Sequence, residues 1–390
     1  MKPISIPKQI ESLKEELITW RHDLHKYPEL AFEERRTSEF VASQLQKFGI
    51  KVYRNLAKTG VVGELKSGSS KSKVALRADM DALPITEIND LEYKSVNAGV
   101  MHACGHDGHT AMLLGAAKYL ARTKQFDGIV YFIFQPAEET GDGAKTMMAD
   151  GLFNRFPAQR IFGLHIAPPV KSGYFSIFAG PMLAASSTFD IQITGKGTHG
   201  AHPQRGKDLI VIASEMVTLF QSIVSRRLNP LDPAVLSVTQ FHGGTAYNIL
   251  PGVVELKGTV RTMSNTVRDQ IKDEMERIIK GICYTHEINN SFKFLYGDPA
   301  VINTPEETNV SITAAEKVVG KDQTWTKPRP TMASEDFGFF LEQKPGCYVG
   351  LGNGAENGAN HSAQFLFNDE ILTTGVAYWV QLTEDLLSFE

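Results

Sequence analysis

The sequence predicts a layered α/β domain interrupted by a compact ferredoxin-like module. Three observations lead there. Apolar β-type runs alternate with helical periodicities through the first half of the chain, as in a sheet covered by helices. From about Ser187 the order becomes β-α-β-β-α-β, that of a ferredoxin-like unit. Residues able to hold a metal lie on both sides of that unit, so the flanking segments must reunite.

Each element has its own signal. Ile10, Leu13, Leu17, Trp20 and Leu24 recur at helical spacing until Pro28, which predicts an amphipathic opening helix. Thr37–Phe48 reads as a second helix closed by Gly49, followed by short β runs at Ile50–Tyr53, Val61–Leu65 and Val74–Arg77. The run TAMLLGAAKYLA after His109 predicts a buried helix; Ile129–Gln135 and Arg160–Ile166 predict buried strands. In the module, Thr188–Thr194, Ala234–Phe241, Val253–Thr262 and Ser291–Leu295 read as strands, with helices at Lys207–Arg227 and Val267–Thr285. Helices are expected again at Glu307–Val319, Ser334–Glu342 and Asp369–Leu387, with a strand at Cys347–Leu351. The boundaries are 1–184 and 296–390 for the two parts of the larger domain and 185–295 for the insertion.

Composition narrows the function classes. The chain has 390 residues, 42% hydrophobic and 22% charged, as in ordinary globular proteins. Its net charge of −4 supplies no basic field for nucleic acid and no polybasic patch for a membrane. The apolar runs Leu209–Ala213 and Ile129–Phe134 fall far short of a bilayer span, and MKPISIPKQIESLKEE has no apolar leader core. Three scattered cysteines argue against a disulfide framework and for a reducing, cytoplasmic setting.

The densest chemistry is Met101–His109, MHACGHDGH, with one thiol and three imidazoles in nine residues. Gly105 lets the chain bend so that Cys104 and His106 converge. Glu138-Glu139 follows the Ile129–Gln135 strand after Pro136, where α/β proteins place their chemistry. One of these acids is able to bind metal while the other takes a proton. His165 sits in an apolar strand and His361 in a Gly/Asn-rich loop. Singly, each has a plainer reading: a buried free cysteine, a solvated acidic loop, a core histidine, a surface histidine. Together, thiolate, imidazole and carboxylate form the ligand set of a catalytic metal site, enough for two ions.

Motifs along nearly the whole chain resemble the metal-dependent aminoacylase/carboxypeptidase family, in its hippurate-hydrolase and N-acyl-amino-acid amidohydrolase branch. They include RHDLHKYPELAFEE (21–34), ALRADMDALPI (75–85), MHACGHDGHTAMLLGAA (101–117), QPAEETGDGA (135–144), GKGTHGAHP (195–203), AYNILPGVVELKGTVRT (246–262), TMASEDFGFFLE (331–342) and HSAQFLFNDE (361–370). The resemblance implies Cys104 as a thiolate bridging two metals, with His106, Glu139, His165 and His361 completing the sites. It makes Glu138 the general base and Asp79 a residue that orients a ligand. In related aminoacylases a histidine ligand and a bridging Asp stand where this chain has Arg77 and Cys104, which points to the hippurate branch. His199 is implied to polarise the scissile carbonyl in the other subunit's active site, and Asn248 and Arg261 to hold the substrate carboxylate. For the last two, a turn residue and an exposed strand-end cation are the plainer readings. Two divalent ions are implied, zinc or manganese first, cobalt or nickel next. The implied assembly is a homodimer through the inserted domain. Two departures touch no ligand: Ala363 where Pro is common, and Ser186-Ser187 where an acid is common.

The expected reaction is hydrolysis of the amide of an N-acyl amino acid by metal-activated water. One rival is a cysteine hydrolase using Cys104 with His106 or His109, which leaves Glu139, His165 and His361 without a task. Another is a non-catalytic metal- or ligand-binding protein, for which a base at Glu138 is superfluous.

Overall fold

The computed structural model describes residues 6–389; the expectation about an apolar leader falls partly on residues outside them. The chain forms two compact units. One comprises 1–182, 302–329 and 336–390; the other comprises 183–301 and 330–335.

The larger unit is built on an eight-stranded sheet. Its order is Lys51–Leu56, Gly60–Ser67, Gly128–Gln135, Lys73–Asp79, Arg160–Ala167, Gly346–Gly352, Phe175–Ser176 and Thr324–Trp325. The four strands from Gly128–Gln135 to Gly346–Gly352 are mutually parallel. Parallel strands are buried on both faces and read as continuous apolar runs; IVYFIF at 129–134 and IFGL at 161–164 are such runs, and Gly346–Gly352 is buried throughout. The helices Lys14–Lys26, Arg35–Lys47, His106–Thr123, Pro305–Val319 and Leu372–Leu386 supply side chains to the same apolar core. Because the strands are parallel, Asp79, Gln135 and Ala167 end on one edge of the sheet, and the loops that leave there hold the site.

Two expected helices differ in extent. The opening helix is two pieces, Lys8–Glu11 and Lys14–Lys26. The chain tightens between them as Leu13 N–H donates to Ile10 O at 2.9 Å, three residues back. Ser334–Glu342 contains only the short helix Phe337–Leu341.

A buried ionic contact ties the opening segment to the helix that begins at His106. Arg21 Nη1 and His25 Nδ1 meet Asp107 Oδ2 at 3.2 and 2.9 Å, and His25 Nε2 lies 3.2 Å from Glu87 Oε1. Burial alone would push His25 down, but Asp107 and Glu87 outweigh it and raise the imidazole to about 9. A raised pKa means that the folded state holds this proton more tightly. The stabilisation is complete below the unfolded value near 6.5 and is lost as pH rises through about 9. Through His25 alone the metal-free protein is therefore expected to lose on the order of 3 kcal/mol between those limits. Urea unfolding of wild type and His25→Gln at the two pH values checks this. His25→Gln should make the dependence shallower by about that amount; equal slopes in the two proteins would remove the cause.

The smaller unit is a four-stranded antiparallel sheet in the order Ala234–Gly243, Val253–Thr262, Ala185–Thr194, Asn289–Tyr296. Its helices Leu209–Ser222 and Asn265–His286 share one apolar core with the sheet, and the chain order is the expected β-α-β-β-α-β. Although its apolar runs are short, the helical segment Leu209–Arg227 spans 19 residues and is long and apolar enough to cross a membrane. Its Leu209, Ile212, Ala213, Met216, Phe220 and Ile223 are buried in the core of this unit.

Candidate metal centre

Cys104 and His106 are placed by a turn that only a residue tolerant of positive φ makes without strain. Gly105 has φ 88° and caps the His106–Thr123 helix, so Cys104 precedes the bend and His106 opens the helix. Glu138 and Glu139 leave the Gly128–Gln135 strand through Pro136 and Ala137. Gly143 closes that turn by donating to Ala137 O at 3.0 Å; a Cβ there would lie 1.8 Å from Pro136 O. His165 lies near the end of its strand. His361, at φ 62°, is held by its own N–H donating to Ala103 O at 2.8 Å.

All six residues converge. Cys104 Sγ is 3.4 Å from His165 Nε2 and lies within 4.8 Å of donor atoms of Glu139 and His361. His106 Nε2 is 3.9 Å from both Glu138 Oε2 and Glu139 Oε1, and Glu139 Oε2 is 3.3 Å from His361 Nε2. Cys104 thus lies near His165, Glu139 and His361 alike.

The hydrogen bonds leave lone pairs where an ion would use them. His165 Nδ1 donates to Ile166 O at 2.6 Å, and His106 Nδ1 donates to Asp81 Oδ1 at 3.2 Å. In the neutral form of each ring this leaves Nε2 as the acceptor. Among the described residues nothing hydrogen-bonds the buried His106 Nε2 or Glu139 Oε1. Two such orphans facing one another are costly without a cation between them. Electrostatics agree. Burial lowers the His106 pKa, but Asp79, Asp81 and Glu139 overcome it and push it up to about 10, so the site demands positive charge. Burial and His109 hold His165 well below its usual value, as the neutral ring a metal requires. Hydrogen bonding to Glu139 raises His361.

His109 is not free to ligate. Its Nε2 accepts Ile166 N–H at 2.9 Å and its Nδ1 donates to Asp79 Oδ1 at 2.6 Å. It holds the strand end beside His165. His102 is buried with its ring held neutral; burial pushes its pKa down to about 4. Asp79 is buried between Arg77 and His109 and lies 3.8 Å from His106 Nε2. Burial would raise its carboxyl, but His106, His109 and Arg77 hold it well below the usual range.

Asp81 was missed in the sequence. Its Oδ1 fixes His106 and its Oδ2 accepts Glu139 N–H at 2.9 Å, so one carboxylate orients two candidate ligands. The available signal was the Asp-Met-Asp alternation at a strand end. A second omission is the network behind Asp79. Arg77 donates to Gln135 Oε1 (2.8 Å), Asp79 Oδ2 (2.7 Å) and Asp336 Oδ1 (3.1 Å), all buried. A charged residue inside the apolar run VALRAD signals such partners.

The other three expected site residues lie in the smaller unit. His199 belongs to a two-stranded ladder, paired with Ile249, and Asn248 directly precedes the second strand; both are exposed, and Asn248 O accepts Gly200 N–H at 2.7 Å. Half-buried Arg261 lies on Val253–Thr262 and donates to Val260 O at 3.1 Å and to Thr259.

A family model for "Peptidase family M20/M25/M40" matches residues 75–385. The chain belongs to this family. Its similarity to individual proteins extends over most of the chain. It is 42% identical over 375 residues to a hippurate hydrolase of Campylobacter jejuni, covering 96% of this chain and 97% of that one. It is 46% identical over 303 residues to an N-acyl-L-amino acid amidohydrolase of Geobacillus stearothermophilus, covering 77% and 81%. Among solved structures it matches the YXEP protein of Bacillus subtilis, described as a dinuclear metal binding peptidase of the M20 family. That match has a TM-score of 0.85, 32% identity, and coverage of 97% and 99%. Family and donor set together make this M20 member a metal-dependent hydrolase of amide bonds.

Proposed function

We propose that the enzyme hydrolyses N-acyl amino acids of small size, hippurate-like or N-acetylated, with two divalent ions held by Cys104, His106, Glu139, His165 and His361. The observation that carries this is the meeting of those five residues with Glu138 around two unpartnered buried ligand atoms. Metals in such a donor set supply Lewis-acid activation of water and of a carbonyl. Zinc or manganese suits the mixture of thiolate, imidazole and carboxylate best, ahead of cobalt or nickel.

The chain's own groups divide the remaining work. The Glu138 side chain is 10% exposed and lies 3.9 Å from His106 Nε2, beside the candidate ligands. It takes the proton of the attacking water and returns it to the leaving amine. Asp81 and Asp79 hold His106 and His109 in one tautomer. His199 stabilises the oxyanion from the partner subunit, and Asn248 and Arg261 bind the substrate carboxylate. The inserted domain, 185–295, forms the homodimer. Support for this comes from the unpaired edge of the Ala234–Gly243 strand and from exposed Val211 and Leu219 on the neighbouring helix. Sedimentation equilibrium, read as one chain or two, decides it. Cys104, Cys283 and Cys347 are buried and form no disulfide, which suits a cytoplasmic enzyme. Fractionation of the source cells tests that placement.

Dialysis against chelator is expected to abolish turnover of a small panel of N-acyl amino acids, with Zn²⁺ or Mn²⁺ restoring it. Metal content measured on the same sample should approach two ions per chain. The 3.4 Å approach of Cys104 Sγ to His165 Nε2 also favours, as a second reading, a cysteine nucleophile. Activity that survives chelation but not thiol alkylation would establish that reading and overturn the first.

A further inference from the structure

Glu34 occupies the N-cap of the Arg35–Lys47 helix, yet its side chain makes no capping bond. The helix start is served instead by Glu29, whose two oxygens accept the N–H groups of Arg36 and Thr37 at 3.0 and 2.8 Å. The Glu34 carboxylate turns inward, fully buried, and gathers three donors. Oε1 accepts Ala137 N–H at 2.9 Å and Phe32 N–H at 3.0 Å; Oε2 accepts Thr59 Oγ1–H at 2.5 Å.

The partners share an unusual feature. Phe32 (φ 62°) and Ala137 (φ 55°) both have left-handed backbone, and Thr59 directly follows Ala57 and Lys58, at φ 49° and 71°. None of these is glycine, and such backbone persists only where surrounding groups over-determine it. A single carboxylate is bonded to all three turns. Ala137 is the residue before Glu138 and Glu139, and its conformation sets the direction in which that pair leaves the strand. Asp81 holds the other end of the pair through Glu139 N–H. Burial lifts the Glu34 carboxyl to about 7 against the hydrogen bonds of Thr59 and Ala137. The group is kept in place at a cost to its own ionisation.

We propose that Glu34 is a positioning residue of the hydrolytic site: it fixes the left-handed Ala137 and so aims Glu138 and Glu139. The proposal rests on the functional reading above for the roles of that pair, but the geometry it requires is separately measurable.

The test compares wild type with Glu34→Ala, Glu34→Asp and Glu34→Gln. Glu34→Gln keeps an oxygen for both backbone N–H groups and turns its amide toward the Thr59 hydroxyl, so it should behave as wild type. Glu34→Ala should lower kcat about 10- to 100-fold and weaken Zn²⁺ binding to the metal-free protein by a similar factor, with KM little changed. Hydrogen exchange in the metal-free protein should quicken over 136–140 and not across the sheet. Should Glu34→Ala fail to fold, Glu34→Asp, which withdraws the carboxylate by one methylene, is expected to show the same local pattern. Wild-type exchange over 136–140 together with wild-type Zn²⁺ affinity in whichever variant folds would overturn the proposal. So would a uniform rise in exchange, which marks a merely structural role. Exchange and Zn²⁺ affinity decide this point even if no N-acyl amino acid is turned over, an outcome that would instead remove the functional reading.

Discussion

Glu138→Gln is expected to lower kcat by about 10²- to 10⁴-fold, the usual worth of a positioned acid–base group, or roughly 3–5 kcal/mol of barrier. The change is isosteric and leaves Cys104, His106, Glu139, His165 and His361 in place. Metal content, measured on the same preparation, should therefore match wild type. KM should stay near its parent value, because the group acts on the proton and not on substrate binding. Retention of full turnover would remove Glu138 from the mechanism. Loss of metal together with activity would recast it as a ligand, which its 3.9 Å approach to His106 Nε2 makes the specific alternative.

Arg77→Met should produce the largest loss of stability of any single change near the site. The guanidinium is wholly buried and is shared among Gln135, Asp79 and Asp336. Gln135 Nε2 in turn donates to both Asp336 oxygens at 2.8 and 2.7 Å, and Ala144 N–H to one of them at 2.8 Å. Removing the cation takes one buried counter-charge from both Asp336 and Asp79, the latter keeping His106 and His109, and breaking such a buried pair costs about 3–5 kcal/mol. Denaturant unfolding of the metal-free protein reads it directly. Arg77→Lys should not rescue, since an ammonium lacks the planar fork that reaches three acceptors. Arg77→Met with Asp336→Asn should recover part of the loss, because one stranded charge has gone. A loss below about 1 kcal/mol for Arg77→Met would show that water or rearrangement serves these acids equally well.

These two residues mark the limits of a sequence reading. Glu138 was legible because its signal is local: two acids just past an apolar strand, broken by proline. Arg77 was seen only as a replacement for a ligand found elsewhere. Its task depends on Asp336, 259 residues away, and no periodicity connects the two. Asp81 and Glu34 were missed for the same reason. Each is one acid among 44 acidic residues, and what sets it apart is whose backbone N–H it accepts. His102 and His109 show the converse. Composition made them equal to Cys104 and His106, and the family resemblance set them aside as flanking groups; what His109 does there, accepting Ile166 N–H on Nε2, is visible only in the structure.

By itself, the sequence determined the layered α/β class, the β-α-β-β-α-β order of the insertion and the donor types of the candidate ligands. Apolar periodicity, turn residues and donor types are properties of short stretches, and short stretches carry them. Tertiary structure alone decided which lone pairs remain open, which carboxylates hydrogen-bond the candidate ligands, and how a left-handed Ala137 is held. Those outcomes are set by distances of a few ångströms between residues remote in the chain, where burial strengthens each hydrogen bond and makes each unpaired group costly.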